Sequence, residues 1–263
     1  MRDSSRFALL FLATLCVAPA CPAEDWPQFL GMHRDGTSPE TGLISEWPAA
    51  GPKVIWRTPL GVGMSGVIAS EGRAFTLFQD EEKVFLVSLN VSDGREIWRT
   101  PFAAAYENAM GNGARATPTV ANGRVFAFTG EGILAAFDTM SGKELWHVDV
   151  PTMLKGTPSE YGMSCSPLVF DKSVIIHTGN QEAAVAAFDE QSGKLKWAAA
   201  TGKAGYSSPV LLELSKQDQV VTLTADGAFG LNLADGTVLW SYAFPPNMTA
   251  IPHASCEWMN RVF

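Results

Sequence analysis

In this 263-residue sequence the side chains able to bind or react gather in only a few places. Tyr106, Glu107 and Asn108 stand together, Arg115 follows, and Glu160, Tyr161 and Tyr206 come later. Phenol, carboxylate, amide and guanidinium groups supply hydrogen bonds and ring faces, the chemistry of holding a ligand or partner. Bond-breaking chemistry has no comparable start. His33, His147, His177 and His253 are scattered, no Cys-x-x-Cys motif occurs, and no set of ligands has metal spacing. Calcium takes about six to eight oxygen ligands including carboxylates, and no acidic cluster offers them. The sequence therefore nominates no catalytic residue, no metal ligand and no cofactor-binding residue. Taken singly, each polar residue of the first group also reads as an ordinary turn residue, so their meaning depends on the elements that carry them.

Those elements repeat. Ala136 to Trp146 reads AFDTMSGKELW, and Ala187 to Trp197, Gly230 to Trp240 and Ser88 to Trp98 follow the same pattern. In each, a small residue precedes Asn90, Asp138, Asp189 or Asn232 by two places. Gly94, Gly142, Gly193 or Gly236 follows, and then Trp98, Trp146, Trp197 or Trp240. A period of roughly 40–50 residues is that of one propeller blade. Within a copy, apolar strand, polar Gly-containing turn and apolar strand make a hairpin. The Asp or Asn bonds backbone amides ahead of it, and Gly takes the positive φ of the turn. The small residue leaves room for an indole, and the tryptophans hold blades together.

Arg2 and Arg6, the apolar run Phe7 to Val17 and small residues up to Ala23 make residues 1–23 a secretory signal. The apolar run is shorter than the roughly 20 residues of a membrane-spanning helix. The mature chain is expected to be exported to a bacterial periplasm or outer envelope. It is soluble or, in the weaker reading, lipid-anchored at Cys21. Cys165 and Cys256 fall in different blades and read as buried or free thiols rather than a pair. A net charge of −8 argues against nucleic acid or an anionic membrane as partner.

Residues 24–57, rich in Pro and Gly, read as an ordered wrap ending in a ring-closing strand at Trp56. From 58 to 263 the blades fall at about 62–102, 114–151, 164–200 and 206–244, each opening on a start such as Ala116-Thr117-Pro118, Ser166-Pro167 or Ser208-Pro209. With the hairpin added, each blade has four antiparallel strands, an all-β propeller. Ala254-Ser255 followed by Asn260 to Phe263 reads as the start of a fifth blade at 251–263. The expectation is a C-terminally truncated fragment, an incomplete ring of roughly seven or eight blades.

The small-x-Asp-x-x-(Ser/Thr)-Gly-x-x-x-Trp repeat resembles the tryptophan-docking motif of PQQ-like (quinoprotein-like) β-propellers, a WD40-like repeat architecture. The opening Trp26-Pro27-Gln28-Phe29-x-Gly31 with Arg34-Asp35-Gly36 resembles exported bacterial members. The resemblance implies one of several functions. The favoured one is a non-catalytic envelope scaffold, BamB-like in architecture, that presents the Tyr106–Tyr206 loops to a protein or glycan partner. The alternative is a PQQ-dependent dehydrogenase, with PQQ and calcium at the propeller axis and much of its site in missing blades. The third is an extracellular carbohydrate-binding or sensor module.

Overall fold

The computed structural model describes residues 23–244. The secretory signal, Cys21, Cys256 and the fifth-blade start therefore lie outside the described residues, save for Ala23.

Four antiparallel sheets of four strands follow one another along the chain. The first holds β1 (Ile68–Ser70), β2 (Arg73–Gln79), β3 (Lys83–Asn90) and β4 (Glu96–Ala104); the second holds β5 (Thr119–Ala121), β6 (Arg124–Phe128), β7 (Ile133–Asp138) and β8 (Glu144–Asp149). The third runs through β9 (Leu168–Phe170), β10 (Ser173–His177), β11 (Val185–Asp189) and β12 (Leu195–Ala199); the fourth through β13 (Val210–Leu214), β14 (Gln217–Leu223), β15 (Gly227–Asn232) and β16 (Val238–Ala243). Middle strands are nearly continuous apolar runs, such as Val125-Phe126-Ala127-Phe128 and Val174-Ile175-Ile176, and are buried throughout. The last strand of a sheet alternates instead, as in β8. That contrast means both faces of each sheet are covered while its last strand keeps an outer face. Successive sheets share their cores. Phe75 and Leu86 pack with Val125 and Phe137, Phe126 and Leu134 with Ile176 and Phe188, and Ile175 and Val185 with Val220 and Phe229. The chain thus forms a β-propeller of stacked four-stranded blades.

Two seams join neighbouring blades. At the outer seam the indole of one blade lies on the turn glycine of the next. A Cβ at Gly142 would sit 2.5 Å from Trp98, at Gly193 2.7 Å from Trp146, and at Gly236 2.6 Å from Trp197. Each Nε1–H donates to a carbonyl of the same turn: Trp98 to Thr139, Trp146 to Glu190 and Trp197 to Leu233, all at 3.1 Å. The turn itself is held by the repeat's Asp or Asn. Asp138 Oδ1 accepts from the Ser141 amide and hydroxyl, and Asp189 Oδ1 from those of Ser192. These bonds lower both carboxyl pKa values. Trp240 behaves differently. It lies across Gly230 of its own blade and donates to Gln219 Oε1 at 2.8 Å.

The inner seam is a relay of hydroxyls at the blade starts. The Gly66 amide donates to Thr117 Oγ1, the Thr117 amide to Ser166 Oγ, and the Ser166 amide to Ser208 Oγ. Gly66 is glycine for a reason of space, since a Cβ there would lie 2.6 Å from Thr117 Oγ1.

Residues 51–61 pair with no sheet among the described residues, which hold no other strand of the blade that the strand expected at Trp56 would complete. Side chains hold that segment instead. Trp56 Nε1 donates to Val91 O at 2.7 Å, Thr58 Oγ1 donates to Gly94 O at 2.6 Å, and the indole covers Gly94. The docking contact is therefore made without a backbone ladder. Earlier in the chain, Asp25 to Arg34 crosses the innermost strands of three blades. Asp25 accepts from Ser70, Trp26 pairs with Ala69, Pro27 O accepts from the Val120 amide, and Arg34 donates to Ser166 O and Pro167 O. Among the described residues one short helix, α1 (Val150–Leu154), leaves the second blade, capped by Asp149 and ended by Lys155 at φ 54°.

Candidate functional site

The loops leading into the second, third and fourth blades share a face with the β6–β7 turn, because Tyr106 packs on Gly130 and the Met163 amide donates to Gly130 O. Tyr106 anchors this face. Its amide donates to Gln79 Oε1 at 2.8 Å, and its ring lies where a Cβ at Gly130 or Gly162 would collide. The Arg115 guanidinium stands 4.6 Å above that ring and donates to Gly111 O and Gly113 O. Asn108 carries the link onward, donating to Tyr106 Oη at 3.0 Å and to Glu160 O at 2.9 Å. Tyr161 then stacks on Tyr206, with ring centres 5.7 Å apart, and its amide donates to Tyr206 Oη. Ser159 Oγ donates to Ala204 O and Ser164 Oγ to Tyr206 O, closing the third loop onto the second.

The structure therefore brings Tyr106, Asn108, Arg115, Glu160, Tyr161 and Tyr206 into one patch, while Glu107 is simply exposed. Partial burial lowers the Arg115 pKa, against the raising effect of Tyr106 and Tyr206. Desolvation raises the Tyr206 pKa, opposed by the bond from the Tyr161 amide. Beneath Tyr206 opens a cleft of about 430 Å³ bounded by Glu160, Gln181, Lys203 and Thr157. Sequence reasoning had not singled out Gln79 or Gln181, because each sits in a different repeat from the tyrosine it lies beside, nor Lys203, which precedes Tyr206 in the same loop. Met64, Met110 and Tyr161 add exposed apolar surface, and Met64, from the segment before β1, lies against Gly111 of the loop that carries Met110. The arrangement offers ring faces, amides and mixed charge on a rigid frame, which suits binding.

Among the described residues no three His, Cys, Asp or Glu side chains gather to hold a metal. The innermost hydroxyls, Thr117 and Ser166, are engaged in the inner relay, and the charged group beside them is the cation Arg34.

Fold and repeat seams together define a PQQ-like β-propeller. The chain belongs to the family described as outer membrane protein assembly factor BamB, whose model matches residues 40–160 and 86–252. BamB of Yersinia pestis is 25% identical over 192 residues, covering 70% of this chain and 46% of the relative. The chain thus spans less than half the length of that curated relative. Among solved structures, a quinohemoprotein alcohol dehydrogenase of Pseudomonas putida superposes with a TM-score of 0.59 at 16% identity, covering 84% of this chain and 40% of that one. BamB of Moraxella catarrhalis gives 0.56 at 16% identity, covering 77% and 58%. At such identities these two establish the fold alone.

Proposed function

We propose that this chain is a non-catalytic propeller of the bacterial envelope that serves outer-membrane protein assembly by presenting the Tyr106–Tyr206 face to an envelope protein. One observation carries the reading: three consecutive blade-leading loops are bonded through Asn108, Tyr161 and Tyr206 into a single exposed surface. A pre-ordered surface of this kind loses little conformational entropy on binding. Membership of the assembly-factor family supports an assembly role, and among the described residues no helix is long and apolar enough to cross a membrane. The stacked Tyr161–Tyr206 pair beside a polar cleft favours a glycan as the second reading.

A photo-activatable residue at Tyr161, with the protein produced in its host, should give adducts with envelope proteins. The same residue at Met140, exposed on the β7–β8 turn at the other end of the blade, should give few. Equal adducts from both positions would remove the proposed face, and adducts with polysaccharide alone would move the reading to the glycan. Separately, addition of PQQ and calcium should produce no dye reduction with simple alcohols or sugars. Turnover under those conditions would refute the non-catalytic reading.

A further inference from the structure

The tyrosine face has an apolar centre that no described residue covers. Met110 is 64% exposed and lies two residues after Asn108, which ties its loop to Glu160. Val62 and Met64, both exposed, run alongside that loop, because the Met64 amide donates to Ala114 O and the Met64 side chain lies against Gly111. Tyr161, next to Glu160, extends the patch onto the third loop. Exposed apolar side chains gathered in this way mark a contact surface, and methionine adapts to an irregular partner.

The surroundings of this centre are acidic. The β2–β3, β6–β7, β10–β11 and β14–β15 turns all reach the same face. The Ala105 amide donates to Glu82 O, the Met163 amide to Gly130 O, the Gly202 amide to Gln181 O and the Ala225 amide to Lys203 O, so each turn adjoins a blade-leading loop. Every one of these turns carries an exposed carboxylate: Asp80, Glu81 and Glu82 in the first, then Glu131, Glu182 and Asp226. Glu107 and Glu160 add two more from the loops. The Lys83 and Glu82 amides donate to Asp80 and lower its carboxyl pKa, so it stays ionised. Cations on the same turns and loops are half as many: Lys83, Lys155, Lys203 and Arg115, which is already bonded to Gly111 O and Gly113 O. None of the eight acids enters an ion pair among the described residues. At the opposite end of the blades the turns mix their signs, as in Asp171 with Lys172, and Lys216 with Asp218. Asp93 is paired there with Arg95 at 3.4 Å. Unpaired negative charge is thus concentrated at the end that carries the apolar centre.

We propose that the envelope-protein segment meeting this face is basic, with lysines or arginines set around an apolar middle. The inference rests on the reading that this face is the contact surface, and it specifies the chemistry of what is contacted. Apolar side chains of the partner lie against Met64, Met110 and Tyr161, and its cations lie over the acidic turns. A single-signed field of this kind speeds the approach of an oppositely charged surface by about 10- to 1,000-fold and repels a like-charged one. An anionic lipid surface is turned away by the same charge, and a neutral glycan gains nothing from it. Salt screens the attraction, since the Debye length is about 10 Å at 0.1 M and about 3 Å at 1 M, but leaves the apolar contact in place.

The test uses the full chain with the photo-activatable residue at Tyr161, irradiated with envelope extract of its host in about 50 mM and about 500 mM NaCl. Adducts with the envelope protein should fall by about tenfold or more at the higher salt, and by as much in a Glu81→Lys, Glu131→Lys, Glu182→Lys triple variant at the lower salt. A Lys143→Glu, Lys172→Glu, Lys194→Glu control at the opposite end should not weaken them. All six positions are exposed, so both variants should fold, and melting curves check this. Mass spectrometry should place the link in a stretch of the partner with more Lys and Arg than Asp and Glu. Adducts unchanged by salt and by acid reversal, adducts weakened equally by the control, or a linked stretch of net negative charge would overturn the basic partner while the face itself stands. Absence of any protein adduct from Tyr161 would remove the face, and this inference with it.

Discussion

Replacing Trp146 with Ala is expected to destabilise the protein by about 3–5 kcal/mol, the usual loss for truncating a large packed aromatic. The indole makes three kinds of contact that Ala cannot. It packs on Phe126 with ring centres 6.0 Å apart, it covers Gly193 of the next blade, and its Nε1–H satisfies Glu190 O. Removing it opens a void at the outer seam and strands a carbonyl. An exposed change such as Glu81→Ala should stay within about 0.5 kcal/mol. The contact can be isolated with Gly193→Ala. Gly193 has φ 68°, which costs Ala about 1–2 kcal/mol on its own, and a Cβ there would also press on the indole at 2.7 Å. With Trp146 already removed, only the backbone cost remains. The two changes together should therefore fall short of their sum by roughly 0.5–3 kcal/mol in urea denaturation. A loss below about 1 kcal/mol for Trp146→Ala, or strict additivity with Gly193→Ala, would mean that the seam does not depend on docking.

That outer seam was readable because each copy packs its parts into a short span of sequence. Asp138, Gly142 and Trp146 lie close together, and the turn is a local structure that needs no distant partner. The propeller class followed from the repetition of such units. The inner relay left a fainter trace. A hydroxyl residue precedes proline in Thr117-Pro118, Ser166-Pro167 and Ser208-Pro209, but its bonding role depends on an amide 42 to 51 residues away. Arg34 left less still, since its carbonyl partners lie 132 and 133 residues along the chain. Nothing in the local pattern around Arg34-Asp35-Gly36 marks one arginine as buried. At Trp56 the spacing announced a docking tryptophan, and the indole lies on Gly94 and bonds Val91 O, whereas a ladder for its strand needs partner strands that do not occur among the described residues.

The tyrosine face was partly readable. Its residue types and loop positions could be listed from the repeats, but the bonds that unite them could not. Asn108 reaches Glu160 across 52 residues, and Tyr161 reaches Tyr206 across 45. These spans approximate one repeat, so the face is a property of stacked blades rather than of any loop. It explains why Glu107, beside Tyr106 in sequence, takes no part in the network.

Acid should weaken the protein well above the range in which its carboxylates titrate, and His177 is the reason. His177 ends β10 in the third blade and is 1% exposed. Its Nε2 meets Thr222 Oγ1 of the fourth blade at 2.7 Å, and its amide donates to the neutral thiol of Cys165. Desolvation lowers its pKa from 6.5 to about 4, with the Gly205 backbone opposing. The unfolded chain therefore binds a proton to this ring at a higher pH than the folded chain does. Between those two values unfolding takes up protons, so stability rises with pH and is lost as pH falls from 6.5 towards 4. At about 1.4 kcal/mol per pKa unit, the loss across the window is about 3 kcal/mol. The hydrogen-bonded carboxylates Asp138 and Asp189 also lose stability in acid, but only once pH approaches their unfolded value of 3.8. Changing His177→Leu together with Thr222→Val removes both partners of the inter-blade bond, and Leu223 occupies the matching place in the fourth blade. The double variant should keep the loss near pH 4 and lack most of the slope between pH 6.5 and 4.5, measured by urea denaturation at half-unit intervals. An unchanged slope in that variant would place the sensitivity elsewhere, and a flat profile in the parent chain would show that protonated His177 is accommodated in the folded blades.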